Sequence, residues 1–483
     1  MKVCVVGAGL GGLSAAIEIA ADGHDVEVFE AASEPGGKAG TVVLEGVECD
    51  TGPSVLTLPD AFDGLFQRAG SRLEDEVELR TRTHAFRYRF PEGHEVTIHQ
   101  KLSDTLDSVR DALGPEAAAQ LGAHLEYAKS IWDVSAPHFV YGDAPSMRTI
   151  LKLGVSKLAE VQKIDAMRSM WGAITARVEH RDIRWILARY ATYNGSNVFK
   201  APATLNCISW VELGLGGYGV TGGIHAVVKR LAALAESMGI RFHFEKPVEQ
   251  IVTRRNRARG VRVDGSEVPC DAVVYNGDVR GVPRMLAPDR PHKAPEETGS
   301  MSAWNAIVRA KRKHDRPAHS VFFPREYSEE FRDIFERGRP PEEPTIYVCA
   351  QEVSHGRTGW DEEEPLFLMA NAPSTTAPVA AETFEALESQ ILSRLVEAGF
   401  IESSDRVLWR RTPAELAARF PDSHGSLYGA ASNSPFSAFK RAGNRHGSVR
   451  GLYLASGTAH PGGGMPLSVL SGRSAARALR EDN

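Results

Sequence analysis

Two glycine-rich turns, one near each end of the chain, and the strand–helix pattern around them predict an α/β protein. Its core is expected to be a parallel, dinucleotide-binding sheet of Rossmann-like type. The first turn lies in residues 2–30, KVCVVGAGLGGLSAAIEIAADGHDVEVFE. Residues 3–6 read as a buried strand that runs directly into Gly7-Ala8-Gly9-Leu10-Gly11-Gly12. A helical pattern follows at Leu13, Ala16, Ile17 and Ala20, Gly23 stops it, and residues 26–29 read as a second strand. This is one βαβ unit with G-x-G-x-x-G at its first turn. Gly7 permits the tight turn, Gly9 the approach of a pyrophosphate, and Gly12 the close packing of helix on strand. The helix N-terminus then meets the phosphates with unpaired N–H groups and its positive dipole end. Glu30 ends the second strand, 23 residues after Gly7, and is placed to accept hydrogen bonds from a ribose diol. A turn made of glycine only for packing would leave that acid unexplained.

The remaining elements follow in order. Gly36-Gly37-Lys38 sets a glycine pair and a positive charge beside the same ligand. A plain nicotinamide dehydrogenase has no use for this second glycine step, whereas a bent FAD runs past one. Residues 47–50 read as a strand ending in the turn Asp50-Thr51-Gly52-Pro53, which either faces the ligand or is a solvent turn. From about 60 to 209 helices are separated by short strands, with amphipathic helices at 61–69 and 103–113 and a longer one at 117–134. In 146–171, Leu151, Leu158, Val161, Ile164, Met167 and Trp171 fall at helical spacing, and five Lys and Arg outnumber Glu160 and Asp165. A basic helix of this kind can lie on an anionic bilayer surface; a core-facing helix is the alternative.

Gly214-Leu215-Gly216-Gly217-Tyr218-Gly219 resembles the fingerprint only superficially. More glycine intervenes before the helix at 224–238, and no acid ends a following strand at the right distance. One fingerprint implies one dinucleotide. Strands are expected at 240–244, 248–253, 260–263 and 272–275, all rejoining the first sheet, with 254–259 as a basic hairpin tip. Val248 is counted with the cofactor-binding residues. Further strands are expected at 304–310, 345–350 and 366–370, and a helix at 381–399. Residues 451–457 again run from strand into glycine, followed by Thr458-Ala459-His460-Pro461-Gly462-Gly463-Gly464-Met465-Pro466 and a helix to about 480. The two ends therefore build one site. Residues 1–75, 214–280 and 448–483 form the dinucleotide domain, and 76–213 with 281–447 form a second, inserted one.

Composition narrows the function classes. At 483 residues two domains are expected. With 56 basic against 62 acidic residues and a net charge of -6, nothing draws the protein toward nucleic acid. The five cysteines stand singly with no C-x-x-C, which suggests reduced thiols in the cytoplasm. The first apolar run is strand-length and passes straight into the fingerprint, so no signal peptide is expected. No run approaches the roughly 20 residues that cross a bilayer. Neither H-E-x-x-H nor G-x-S-x-G is present, so zinc protease and serine hydrolase readings have no anchor, and no metal is expected.

These residues resemble the phytoene (carotenoid) desaturases, FAD-dependent enzymes of the amine-oxidase and GDP-dissociation-inhibitor superfamily. VVGAGLGGLSAA, PGGKAG and DTGPSVLTLPDAF carry the resemblance at the N-terminus, with RYATYNG and GGYGVTGGIHAVVKRLAALAESMGI in the centre. HGSLYG and GLYLASGTAHPGGGMPLSVLSGRSAA carry it at the C-terminus. The TLPDAFDGLF, RYATYNGS and HGSLYG versions are most similar to 1-hydroxycarotenoid 3,4-desaturases. The resemblance implies a glutathione-reductase-type FAD-binding domain with an inserted α+β substrate domain, peripheral on the cytoplasmic face of the cell membrane. FAD is expected against Gly7, Gly9, Gly11, Gly12, Glu30, Gly36, Gly37, Lys38, Asp50, Gly52, Pro53, Val248, Gly457, Gly463, Gly464 and Met465. No cysteine lies near 459–464, so the flavin is noncovalent.

The implied reaction removes two hydrogens from adjacent carbons of a hydrophobic polyene, with oxygen or a quinone as final electron acceptor. An allylic C–H is a poor acid, so hydride loss to the flavin comes first and the resulting polyene cation then sheds a proton. That chemistry asks for an apolar tunnel, alignment against the flavin and stabilised negative charge on the reduced ring. The helix starting near Met465 suits the last requirement. His460 is the catalytic candidate, as hydrogen-bond donor or proton acceptor; a loop-orienting role is the alternative. An amine or amino-acid oxidase, or a non-enzymatic prenyl-binding escort of the same fold, are the rival functions.

Overall fold

The computed structural model describes all residues except 82–85, 143, 145–162, 293–297, 375–378 and 436, together with the side chains of 438 and 439. Its first sheet has five strands in the order Leu452–Leu454, Ala272–Tyr275, Lys2–Val6, Asp25–Phe29, Arg241–His243, all parallel. Val3, Cys4 and Val5 are fully buried, because helices cover one face of the parallel sheet and the strands of 248–263 cover the other, leaving no side of the strand in water. The opening helix Leu10–Ala21 packs along the closing helix Met465–Glu481. The contact is close enough that a Cβ on Gly472 would stand 2.4 Å from the Gly11 carbonyl, and Ser14 Oγ donates to the Val469 carbonyl at 2.7 Å. This pairing brings the two ends of the chain together over one face of the sheet, in which Lys2–Val6 is the central strand.

A second sheet of seven strands is built from the middle of the chain. Its order is Arg406–Arg411, Ser302–Lys311, Glu363–Ala372, Ile346–Ala350, His319–Phe322, Phe86–Arg89, Glu95–Ile98. Neighbours are antiparallel apart from the parallel pair His319–Phe322 and Phe86–Arg89. The helices Pro115–Ser135, Arg181–Arg189 and Cys207–Leu213 contribute to the core beside one face.

Two expectations are corrected. Residues 248–263 do not rejoin the first sheet. Val248–Arg254, Arg257–Val263 and Ser266–Pro269 form a separate antiparallel sheet, with Arg255 and Asn256 at the hairpin tip. Their alternation of buried and exposed residues suits a sheet wet on one side, unlike the fully buried parallel strands. Second, the basic helix expected over 146–171 falls largely outside the described residues, and 164–169 are not helical. Thr204 Oγ1 donates to the Ile164 carbonyl, Ala203 N–H to the Arg168 carbonyl, and Tyr127 Oη to Asp165 at 2.6 Å. Docking on 202–204 holds this stretch in an irregular, bent course, and a new helix, Met170–Thr175, starts only after Ser169.

Candidate active site

A cavity of about 1130 Å³ is lined by the glycine turns on one side and by the seven-stranded sheet and neighbouring helices on the other. It exceeds the roughly 300–1,000 Å³ of a single small-molecule pocket, leaving room for a dinucleotide and a second ligand. Gly7, with φ of +98°, turns the chain out of the first strand while its N–H donates to the Phe29 carbonyl at 2.8 Å. Glu30 Oε2 accepts from Ala8 N–H at 2.6 Å and Oε1 from Ala32 N–H at 2.9 Å. The carboxylate is thereby fixed at the strand end, and each oxygen keeps a further lone pair for a ribose hydroxyl. Both the opening and the closing helix begin on the cavity with neither a side-chain cap nor an acid in the first turn. Their free N–H groups and dipoles favour negative charge at two places along one ligand.

Gly9 lines the cavity as expected, for a partly different reason. A side chain there would point at Asn276 Oδ1, 2.7 Å away. Asn276 needs that room: its Oδ1 accepts from Gly9 N–H at 3.0 Å and its Nδ2 donates to the Ala455 carbonyl. One side chain thus ties the first glycine turn to the last. Sequence reasoning missed Asn276; its only signal was the Asn-Gly step directly after the apolar strand Ala272–Tyr275. Gly12 plays the packing role foreseen for it, since a Cβ would lie 2.1 Å from the Gly7 carbonyl. Gly11 is similarly tight against the Ala455 carbonyl.

Gly36, Gly37, Lys38, Gly52, Pro53, Val248, Gly457, Gly463, Gly464 and Met465 all line the cavity. Lys38 is anchored rather than free for a phosphate: Nζ donates to the carbonyls of Leu427 at 2.6 Å and Ser426 at 3.3 Å. Burial pushes its ammonium down to about 8, with Asp278 opposing the shift. Asp50 is a correction, because it is not part of the cavity lining. Its carboxylate accepts from Ile224 N–H at 2.8 Å and pairs with Arg357 at 3.0 Å, holding the start of helix His225–Ser237 beneath the site. His460 lines the cavity, but its Nε2 stands 3.2 Å from the Gly142 carbonyl. That contact ties the 457–464 loop to residue 142 and favours the orienting role over proton transfer.

Beyond the glycine turns the lining becomes mostly apolar. Trp132, Phe139, Val140, Ile208 and Val211 face it from the helices, and Tyr347, Phe367 and Met369 from the sheet. Behind Tyr347 lies an internally paired network. Arg189 donates to the hydroxyls of Tyr88 at 3.2 Å and Tyr193 at 3.0 Å, and Tyr193 and Tyr190 donate to Glu212 at 2.7 and 2.9 Å. Burial raises the Glu212 carboxyl above the usual range despite Arg189 nearby.

A cavity met by two helix N-termini, with an apolar chamber beyond them, suits a flavin oxidoreductase better than a nicotinamide dehydrogenase. The chain belongs to the flavin-containing amine oxidoreductase family, whose model matches residues 10–480, and FAD is its cofactor. Among curated relatives, it is 34% identical to a hydroxyneurosporene desaturase of Rubrivivax gelatinosus over 99% of this chain and 93% of that one. It is 32% identical to a second protein of that name from Rhodobacter capsulatus, over 99% and 98%. Among solved structures, a putrescine oxidase variant superposes with a TM-score of 0.64 at 15% identity, covering 100% of this chain and 99% of the other. The protein is a flavin oxidoreductase with the amine-oxidase fold.

Proposed function

We propose that this protein is a carotenoid desaturase that acts on an acyclic carotenoid bearing a terminal 1-hydroxyl and forms the 3,4 double bond. The carrying observation is the large, mostly apolar chamber that continues past the FAD-fitting turns. Hydroxyneurosporene desaturases among the relatives support the substrate, as does a 1-hydroxycarotenoid 3,4-desaturase of Flavobacterium at 28% identity over the whole chain. A putrescine or other amine substrate would want carboxylates to hold its ammonium groups, whereas the sheet and helices present mostly apolar side chains to this chamber.

Bound FAD supplies a two-electron acceptor for the hydride that leaves the polyene. The protein's own part is alignment and exclusion of water. Tyr347, Phe367 and Met369 give the polyene a flat apolar surface, and the helices opposite close it in. The uncapped N-terminus of Met465–Glu481 would favour negative charge on a flavin held beside it. The cation left on the polyene is delocalised, and loss of a proton from the adjacent carbon completes the double bond. In this reading, residues 1–75, 214–280 and 448–483 hold FAD and the rest holds the substrate. Oxygen or a quinone removes the electrons.

A water-insoluble substrate calls for entry from a membrane surface on the cytoplasmic side. No helix among the described residues is long and apolar enough to cross a bilayer. Met167 is 74% exposed next to Ile164 and Ala166, which line the cavity, and so supports a peripheral contact there. The test is FAD-loaded protein sedimented with anionic liposomes that contain either 1-hydroxylated or plain neurosporene- and lycopene-type substrates. Turnover efficiency should favour the hydroxylated compounds strongly, because a site built to bond a hydroxyl rejects the analogue that lacks it. Equal rates, or preference for colourless phytoene, would assign the protein to phytoene desaturation instead.

A further inference from the structure

Of the buried polar atoms on the cavity that no described residue satisfies, which include Ser135 Oγ and Thr345 Oγ1, two of opposite hydrogen-bonding sense stand on neighbouring strands of the sheet wall. Asn305 Oδ1, an acceptor, sits on strand Ser302–Lys311, and Arg411 Nε–H, a donor, on the adjacent strand Arg406–Arg411. The two residues are direct partners in the antiparallel register, and both line the cavity. They are 3% and 7% exposed, so bulk water does not serve them. Cross-strand partners place their Cβ atoms about 4.5–5.5 Å apart, close enough for both groups to reach one small ligand group. Unpaired buried donors and acceptors weaken a folded protein, and a neighbouring pair of them on a ligand cavity calls for a ligand that completes both.

An alcohol hydroxyl has one hydrogen to donate and two lone pairs to accept with, so a single oxygen closes both valences. A hydrocarbon end closes neither. The position also suits the chemistry. Arg411 Nη2 donates to the Thr51 carbonyl at 2.5 Å, which fixes the guanidinium against the Thr51-Gly52-Pro53-Ser54 turn where the cofactor-fitting wall meets the substrate wall. The oxygen of a hydroxyl on C1 is three bonds from C3, so an anchor that sets 3,4 oxidation has to stand beside the reacting bond, with the long polyene running away along the apolar chamber. Arg189, which reaches the cavity from the helix Arg181–Arg189, already has Tyr88 and Tyr193 as acceptors, and Asn371 on the sheet donates to Glu330. We infer that Asn305 and Arg411 form the specificity site for the substrate's terminal hydroxyl, which donates to Asn305 Oδ1 and accepts from Arg411 Nε–H.

This inference rests on the substrate reading above, and the test separates the two. FAD-loaded wild type, Asn305→Leu and the smaller Asn305→Ser are compared in liposomes on 1-hydroxylated and plain substrates, with flavin absorbance and melting temperature recorded. In Asn305→Leu, of similar size, the ratio of efficiencies should fall about 10- to 100-fold, the weight of a hydrogen bond to a charged or buried group. Asn305→Ser should lie between. The substrate-free melting temperature of Asn305→Leu should not drop, since an unsatisfied acceptor has been removed. A wild-type preference that survives intact in both variants overturns the inference and leaves the proposed function standing. A wild-type ratio near one overturns both. An equal loss on both substrates with an altered flavin spectrum also overturns it, because the pair would then be serving the flavin.

Discussion

A single amide, Asn276, joins two glycine turns that are far apart in the chain. It takes Gly9 N–H and gives its own N–H to the Ala455 carbonyl, across sequence separations of 267 and 179 residues. Asn276→Ala leaves both backbone groups unpaired, which costs about 1–3 kcal/mol for each buried group that water cannot reach. We expect lower thermal stability and clearly reduced flavin per protein after purification. Unchanged flavin content and melting would show that the two turns hold their shape without it. Gly7 and Glu30 could be read from the sequence because their partners lie within 22 residues, inside one βαβ unit. Asp50 could not: its role is set by Arg357, 307 residues away, which draws the carboxylate off the ligand side.

At the level of elements, the site depends on how closely the opening and closing helices pack. Gly472 faces the Gly11 carbonyl, Ser14 and the Ala15 amide, each within 2.7 Å of where a Cβ would sit. Gly472→Ala overpacks that crossing, by about 1–3 kcal/mol, and pushes apart two helix N-termini that line the same cavity. Stability and FAD retention should fall together. Gly447→Ala, where a Cβ meets nothing within 4 Å, is the control and should change neither. A loss of stability with full flavin retention would mean that the two termini are positioned independently. Helix and strand positions along both ends were legible from periodicity. The expected helix through 164–169 failed because side-chain and backbone contacts from Tyr127, Ala203 and Thr204 outweigh a helical spacing of apolar residues. The hairpin strands of 248–263 were found correctly but given to the wrong sheet, since a strand's neighbours are not written in its own periodicity.

For the whole molecule, the seam between the two sheets sets a pH limit. His355 ends the short helix Gln351–His355 and accepts from Val220 N–H at 3.3 Å. Burial pushes its imidazole down to about 4; Asp50 opposes the shift, while Arg357 and Arg80 add to it. In the unfolded chain the same group titrates near about 6.5. Between those values the unfolded state binds a proton that the folded state refuses, so stability falls as pH drops from about 6.5 toward 4. The loss is on the order of 3 kcal/mol at the lower end. Urea melts at pH 7 and pH 4.5 should show it, and His355→Gln, which cannot charge, should make the slope shallower, leaving the share of His124, whose imidazole burial pushes down to about 3. An unaltered slope in that variant would place the acid sensitivity elsewhere.

By itself the sequence determined the parallel sheet, the single dinucleotide site and its flavin character, because each rests on local patterns: buried runs, glycines at fixed spacing, an acid at a strand end. Even the joining of the two chain ends was readable, since both carry strand, glycine turn and helix in the same order. Only the tertiary structure decided which polar groups face the ligand. It turned Asp50 and the Lys38 ammonium toward protein partners, brought Asn276 between two turns, and left Asn305 Oδ1 and Arg411 Nε on paired strands with no partner among the described residues. The physical reason is that a buried polar atom is satisfied by whatever the fold brings within about 3 Å, and strand register across hundreds of residues sets that.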